Sequence, residues 1–141
     1  MSPVRTTMLM IALAGLLPAA ANAQSGLLQR AMDLPPIELS SGKPLAQAPY
    51  ELESGKYYRL TIRSDGSQEL AVAGPDFFRN VWINEIVIND IEVRPLGVDS
   101  LEFDAEGEAT ISFVPIRPGR FELRIPGTTG ASQRAEFVVK G

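Results

Sequence analysis

The 141-residue chain carries no Cys, no His and a formal charge of -4. Without Cys it has no disulfide and no thiol nucleophile, and without His it lacks the usual general base near neutral pH and the commonest transition-metal ligand. Ser-His-Asp triads and imidazole or thiolate zinc sites are therefore excluded, and the acidic balance argues against nucleic acid and anionic membrane surfaces as partners.

The amino end, MSPVRTTMLMIALAGLLPAAANAQ, has the three parts of an export signal. Arg5 supplies the positive end, Met8 to Leu17 the apolar run, and Ala21, Asn22 and Ala23 the small-x-small cleavage pattern. The apolar run is too short to span a bilayer as a lone helix. Cleavage after Ala23 is expected to release a soluble, periplasmic chain starting at Gln24, with no membrane span. Residues 24–36 read as a flexible lead-in, and Ile37 opens the folded domain, which runs to residue 141.

Within the domain, Ile37 to Leu39 reads as a short strand. YYRLTIR then alternates, with Tyr58, Leu60 and Ile62 on one face and Arg59, Thr61 and Arg63 on the other. Turn chemistry brackets this strand at Ser54-Gly55-Lys56 and Asp65-Gly66, and Gln68 to Val72 reads as its antiparallel partner. Pro75 and Asp76 can open a short helix carrying Phe77, Phe78 and Arg79. The β-branched density from Val81 to Val93 favours strand or extended chain. Alternation returns in Leu101 and Phe103, in Ile111 and Phe113, in Phe121, Leu123 and Ile125, and in Ala135, Phe137 and Val139. Short strands at this spacing predict an all-β, antiparallel Greek-key sandwich.

The order ELESGKYYRLTIRSDG, then LEFDAEGEATISFVPIRPGRFELRIPG, then AEFVV resembles the cupredoxin family of exported β-sandwiches. The resemblance implies a copper shell built from a His after the early core strand, then a Cys, a second His and usually a Met around the last loop. Carried onto this chain, the first His falls near Gln68 or Glu69, the Cys at Ile125, the second His near Gly127 or Thr128, and the Met near Gln133. None of these residues supplies a thiolate or imidazole, so neither a type 1 copper site nor any other cofactor is expected. Ile125 continues the inward series of Phe121 and Leu123 and is expected to plug the pole where the metal would sit.

Two groups of residues remain as candidates for function. Asp99, Glu102, Asp104, Glu106 and Glu108 are an acidic stretch with oxygen ligands for a hard cation, but the spacing matches no calcium loop and reads as a solvated hairpin tip. Arg79 and Trp82, with Arg117, Arg120 and Arg124, are residue types enriched where proteins meet, while Phe77 and Phe78 beside them are expected in the core. Trp82 is read either as an interface anchor or as core. No acid and base pair stands at a workable spacing, so the chain is read as a non-catalytic module that binds another exported protein. The alternative is a copper- or iron-handling protein using carboxylates and Met32.

Overall fold

A computed structural model describes residues 29–141, so the proposed signal and the first residues after it lie outside the described residues. Eleven strands and one short helix form two facing sheets. The first sheet contains β1 (Met32–Asp33), β2 (Ile37–Leu39), β4 (Tyr58–Ser64), β9 (Gly107–Pro115), β6 (Val81–Ile88) and β7 (Ile91–Val93). The second runs β3 (Tyr50–Glu53), β11 (Arg134–Lys140), β10 (Gly119–Arg124), β5 (Leu70–Ala73) and β8 (Ser100–Phe103). The helix α1 (Pro75–Arg79) sits between β5 and β6.

The period-2 pattern does what it predicts in β4, where Tyr58, Leu60, Ile62 and Ser64 are buried and Arg59 and Arg63 are exposed. Its antiparallel neighbour β9 carries Ile111 and Phe113 into the same core, and β11 of the opposite sheet adds Ala135, Phe137 and Val139. Phe77 joins the two layers. Its ring lies 5.4 Å from that of Phe113 in the first sheet and 4.4 Å from that of Phe137 in the second, and Phe78 stacks edge-on against it. Both phenylalanines are core, as expected. The helix reaches this position because Gly74 approaches β10 closely: a Cβ there would lie 2.5 Å from Leu123 Cδ2 and 2.6 Å from the Glu122 carbonyl oxygen.

Three sequence expectations change. The folded unit begins before Ile37, because Ala31 is buried and Met32–Asp33 pairs parallel with Tyr58 and Arg59. Pro35 and Pro36 interrupt that edge, splitting it into β1 and β2, since proline cannot donate to a ladder. The sheets are antiparallel at their centres, but β1 and β2 pair parallel with β4, and β3 pairs parallel with β11. The segment read as the partner of β4 forms β5 in the opposite sheet, between β10 and β8. Both edges of β4 are already taken, one by β9 and the other by β1 and β2, so the chain after Asp65-Gly66 has to cross. Gly66, at φ +70, turns that crossing against the backbone of Glu106, where a Cβ would lie 2.8 Å from the amide nitrogen.

Candidate functional site

β10 ends at Arg124, opposite Ala73 of β5, so the loop that follows runs beside β5 at one pole of the sandwich. Hydrogen bonds within the chain close this loop. The Ile125 amide donates to the Gln133 carbonyl at 3.0 Å, and the Thr128 hydroxyl donates back to the Ile125 carbonyl at 2.6 Å. Gln133 Oε1 accepts from the Gly130 amide, and a 3-10 turn, Ala131–Gln133, leads into β11. Arg124 crosses the loop mouth, with Nη1 3.0 Å from the Gly130 carbonyl and 3.5 Å from that of Thr128, while Nε bonds Glu122 at 2.8 Å. Ile125 is half-buried and packs against the core, less deeply than a full plug.

A type 1 copper centre needs a thiolate and imidazoles, and this pole offers an aliphatic side chain, a hydroxyl and an amide. The hydroxyl and the amide oxygen are already engaged within the loop, and the residues do not fit the metal. Gln68 and Glu69 are exposed before β5, where Glu69 faces Glu102 and Asp104.

Arg120 and Arg124 lie on the outer face of the second sheet in a ladder of alternating charge. Glu122 stands directly opposite Glu136, and Arg124 opposite Arg134. Like charges in those positions would repel, but other pairs offset this: Arg134 reaches Glu122 diagonally across the strands and Glu136 along its own strand, both at 3.5 Å, and Arg120 pairs diagonally with Glu136. The Arg124 hydrogen bond, followed by its charge and that of Arg134, outweighs burial and holds the Glu122 carboxyl below the usual range. The cleft beside this ladder, about 540 Å³, also takes Asp76 into its wall, so its three guanidinium groups face three carboxylates. Its formal charges balance. Arg124 is thus a structural clamp.

Arg79, Trp82 and Arg117 lie elsewhere: Arg79 ends α1, Trp82 is in β6, and Arg117 follows the end of β9. Val81 and Pro115 pair and point into the core, so Trp82 and Val114 point outward, and the Ile116 amide bonds the Asn80 carbonyl at 3.0 Å. Trp82 is 45% exposed and Ile116 58%, which leaves an indole beside an isoleucine on the surface. Arg79 faces only Asp76, at 4.0 Å, and Arg117 has no ion pair among the described residues. The five residues singled out from sequence therefore divide between two faces.

The acidic stretch also divides. Glu108 bonds Arg63 at 2.8 Å, whereas Glu102 and Asp104 converge with Glu69 across the β5–β8 pair, their carboxylate oxygens within 4.8 Å of one another and exposed. Glu69 was not grouped with this acidic stretch in the sequence because it lies far earlier in the chain, just before β5. A concavity of about 820 Å³ between residues 34 and 51 is mostly apolar and proline-walled. The Tyr50 hydroxyl at its edge donates to the Pro35 carbonyl and is pushed up to about 12 by burial and then by Glu38, so it stays protonated and offers no base.

No protein-family model and no curated protein matches the chain. Solved structures do. A copper nitrite reductase from Nitrosomonas europaea superposes with a TM-score of 0.52 at 15% identity over 68% of this chain and 34% of that one. A multicopper oxidase from Campylobacter jejuni gives 0.53 at 8% over 80% and 31%, and a second multicopper oxidase 0.52 at 11% over 65% and 32%. The fold is cupredoxin-like. The chain spans between 31% and 34% of the length of these enzymes, and at such identity the likeness concerns the cupredoxin-like fold alone. No helix among the described residues is long and apolar enough to cross a membrane.

Proposed function

We propose that the chain is a non-catalytic cupredoxin-like module without type 1 copper, exported to the periplasm, where it binds another exported protein. The observation that carries this reading is the loop after Ile125, which is satisfied by Arg124, Thr128 and Gln133 in place of metal ligands. The composition supports a role without covalent or acid–base chemistry, and the amino-terminal signal pattern supports export. Docking is assigned to the surface around Trp82, because a half-exposed indole, with Arg79 at the end of α1 and Arg117 after β9, is of the residue types that anchor interfaces.

The metal-handling alternative loses support from geometry. Met32 pairs with Tyr58 at one end of β4, whereas Glu69, Glu102 and Asp104 cluster near the other, so the soft donor and the oxygen donors do not share a site.

The test is purification from the native periplasm, with amino-terminal sequencing, metal analysis and identification of what copurifies. The expected product starts at Gln24 and carries no stoichiometric copper. Trp82→Ala should cost only about 1 kcal/mol of stability yet weaken partner binding by about 2 kcal/mol or more. A stability loss of about 3–5 kcal/mol would instead place Trp82 in the core and remove the assigned surface.

A further inference from the structure

The edge strands β7 and β8 lie on the same side of the sandwich, joined by residues 94–99. In the β6–β7 hairpin, Ile86 pairs with Val93 and Ile88 with Ile91, so all four side chains share one face. Ile86 is buried in the core at 3% exposure, but Ile88, Ile91 and Val93 are 39%, 65% and 42% exposed. The core-facing side of the first sheet therefore continues past its cover. Between this overhang and β8 run two hollows of about 370 and 250 Å³, with Ile88 and Leu101 in the walls of both. β8 pairs only with β5, which leaves the backbone groups on its other edge without a strand partner among the described residues.

The rim carries charge of one sign. Glu102 and Asp104 lie on the opposite face of β8 from Leu101 and Phe103, with Glu69 beside them, and Asp99 and Glu106 border the hollows. None of these five carboxylates is ion-paired among the described residues. Two basic groups near this rim are already engaged: Arg94 is held by Glu85 at 3.3 Å and Glu92 at 3.2 Å, and Arg63 by Glu108 at 2.8 Å.

A strand laid along the free edge of β8 would meet two surroundings in alternation. Side chains pointing inward would cover Ile88, Ile91 and Val93, and those pointing outward would stand beside Glu102 and Asp104. We propose that this groove docks an extended polypeptide segment that alternates apolar and basic residues and adds to β8 as a further strand. The inference rests on the reading of the chain as a binding module and gives the chemistry of one partner segment. A second copy added edge to edge through β8 would bring like carboxylates together, which disfavours it.

The test titrates the purified protein with a short labelled peptide alternating Val and Lys, followed by fluorescence anisotropy and amide hydrogen exchange. Saturable binding that weakens with salt is expected, with slowed exchange at the Ser100–Phe103 amides. A peptide alternating Val and Glu should bind weaker by about tenfold or more, as should Ile91→Ser/Val93→Ser and Glu102→Lys/Asp104→Lys proteins with parent-like unfolding temperatures. Absence of saturable binding, binding that neither double variant alters, or binding without protection of Ser100–Phe103 overturns the groove. Trp82→Ala should leave peptide binding intact. If a native partner docks through Trp82 while the peptide fails, only the groove falls. If the peptide binds and Trp82→Ala leaves partner binding unchanged, only the Trp82 surface falls.

Discussion

The loop between Ile125 and Gln133 and the β6–β7 hairpin are both peripheral, and they make opposite demands on their surroundings. In the loop, Arg124, Thr128 and Gln133 satisfy carbonyls and amides that would otherwise be open to a ligand or water. In the hairpin β6 and β7 pair with each other, but Ile88, Ile91 and Val93 project on the core-facing side with too little above them. Polar closure makes the first region self-sufficient, while uncovered apolar area makes the second one a place where burial remains to be gained. In the cupredoxin-like frame the loop pole is thus closed by its own polar groups, while apolar side chains stay exposed along the hairpin.

The sharpest way to break this contrast is a charge in the loop. Ile125→Asp should cost about 3 kcal/mol in chemical denaturation, because a carboxylate packed against the core has no partner there. A variant as stable as the parent would mean that the side chain faces water. Next comes the clamp. Arg124→Ala should lower stability, by less than Ile125→Asp, since the Gly130 carbonyl and Glu122 both lose a charged donor. That loss should depend on pH. The Glu122 carboxyl is depressed chiefly by Arg124, so its contribution is complete above the unfolded carboxylate range and fades as pH falls through the folded value. Stability curves of parent and Arg124→Ala should therefore converge in acid, without meeting, because the bond to the Gly130 carbonyl does not titrate. Parallel curves would remove Glu122 from the clamp.

The hairpin should behave otherwise. Ile91→Ser should change unfolding free energy by about 0.5 kcal/mol or less, because the side chain is mostly in water already. A large loss would show that the overhang is covered in the isolated protein, by a second copy or by another part of the chain. The smallest expected effect is that of a chelator, which should leave the unfolding temperature where it was, since only a ligand held by the native state can raise it. Added Cu²⁺ should likewise produce no intense thiolate-to-copper absorption, because the chain has no thiolate.

Much of the frame was legible because alternation is a local signal. Tyr58, Leu60 and Ile62, or Ala135, Phe137 and Val139, declare one buried face without reference to any other strand. The short helix at Pro75 was legible for a similar reason, since proline at its start and the Phe77-Phe78 pair mark it locally. The absence of thiolate and imidazole was readable from composition. These features depend on residues near one another in the chain, or on residue types alone.

Only the tertiary structure decided the rest. Whether the segment after Asp65-Gly66 returned to β4 or crossed to the other sheet depended on β1, β2 and β9 occupying both edges of β4, which are contacts distant in sequence. Arg124 reads as an exposed surface cation until the fold brings Gly130 back over it, and Glu69 reads as an isolated acid until β8 lies beside β5. The pattern of β6 and β7 prescribes an apolar face, but how far the opposing sheet extends to cover it depends on the packing of the two layers. Periodicity sets which way a side chain points, and long-range pairing sets what it meets there.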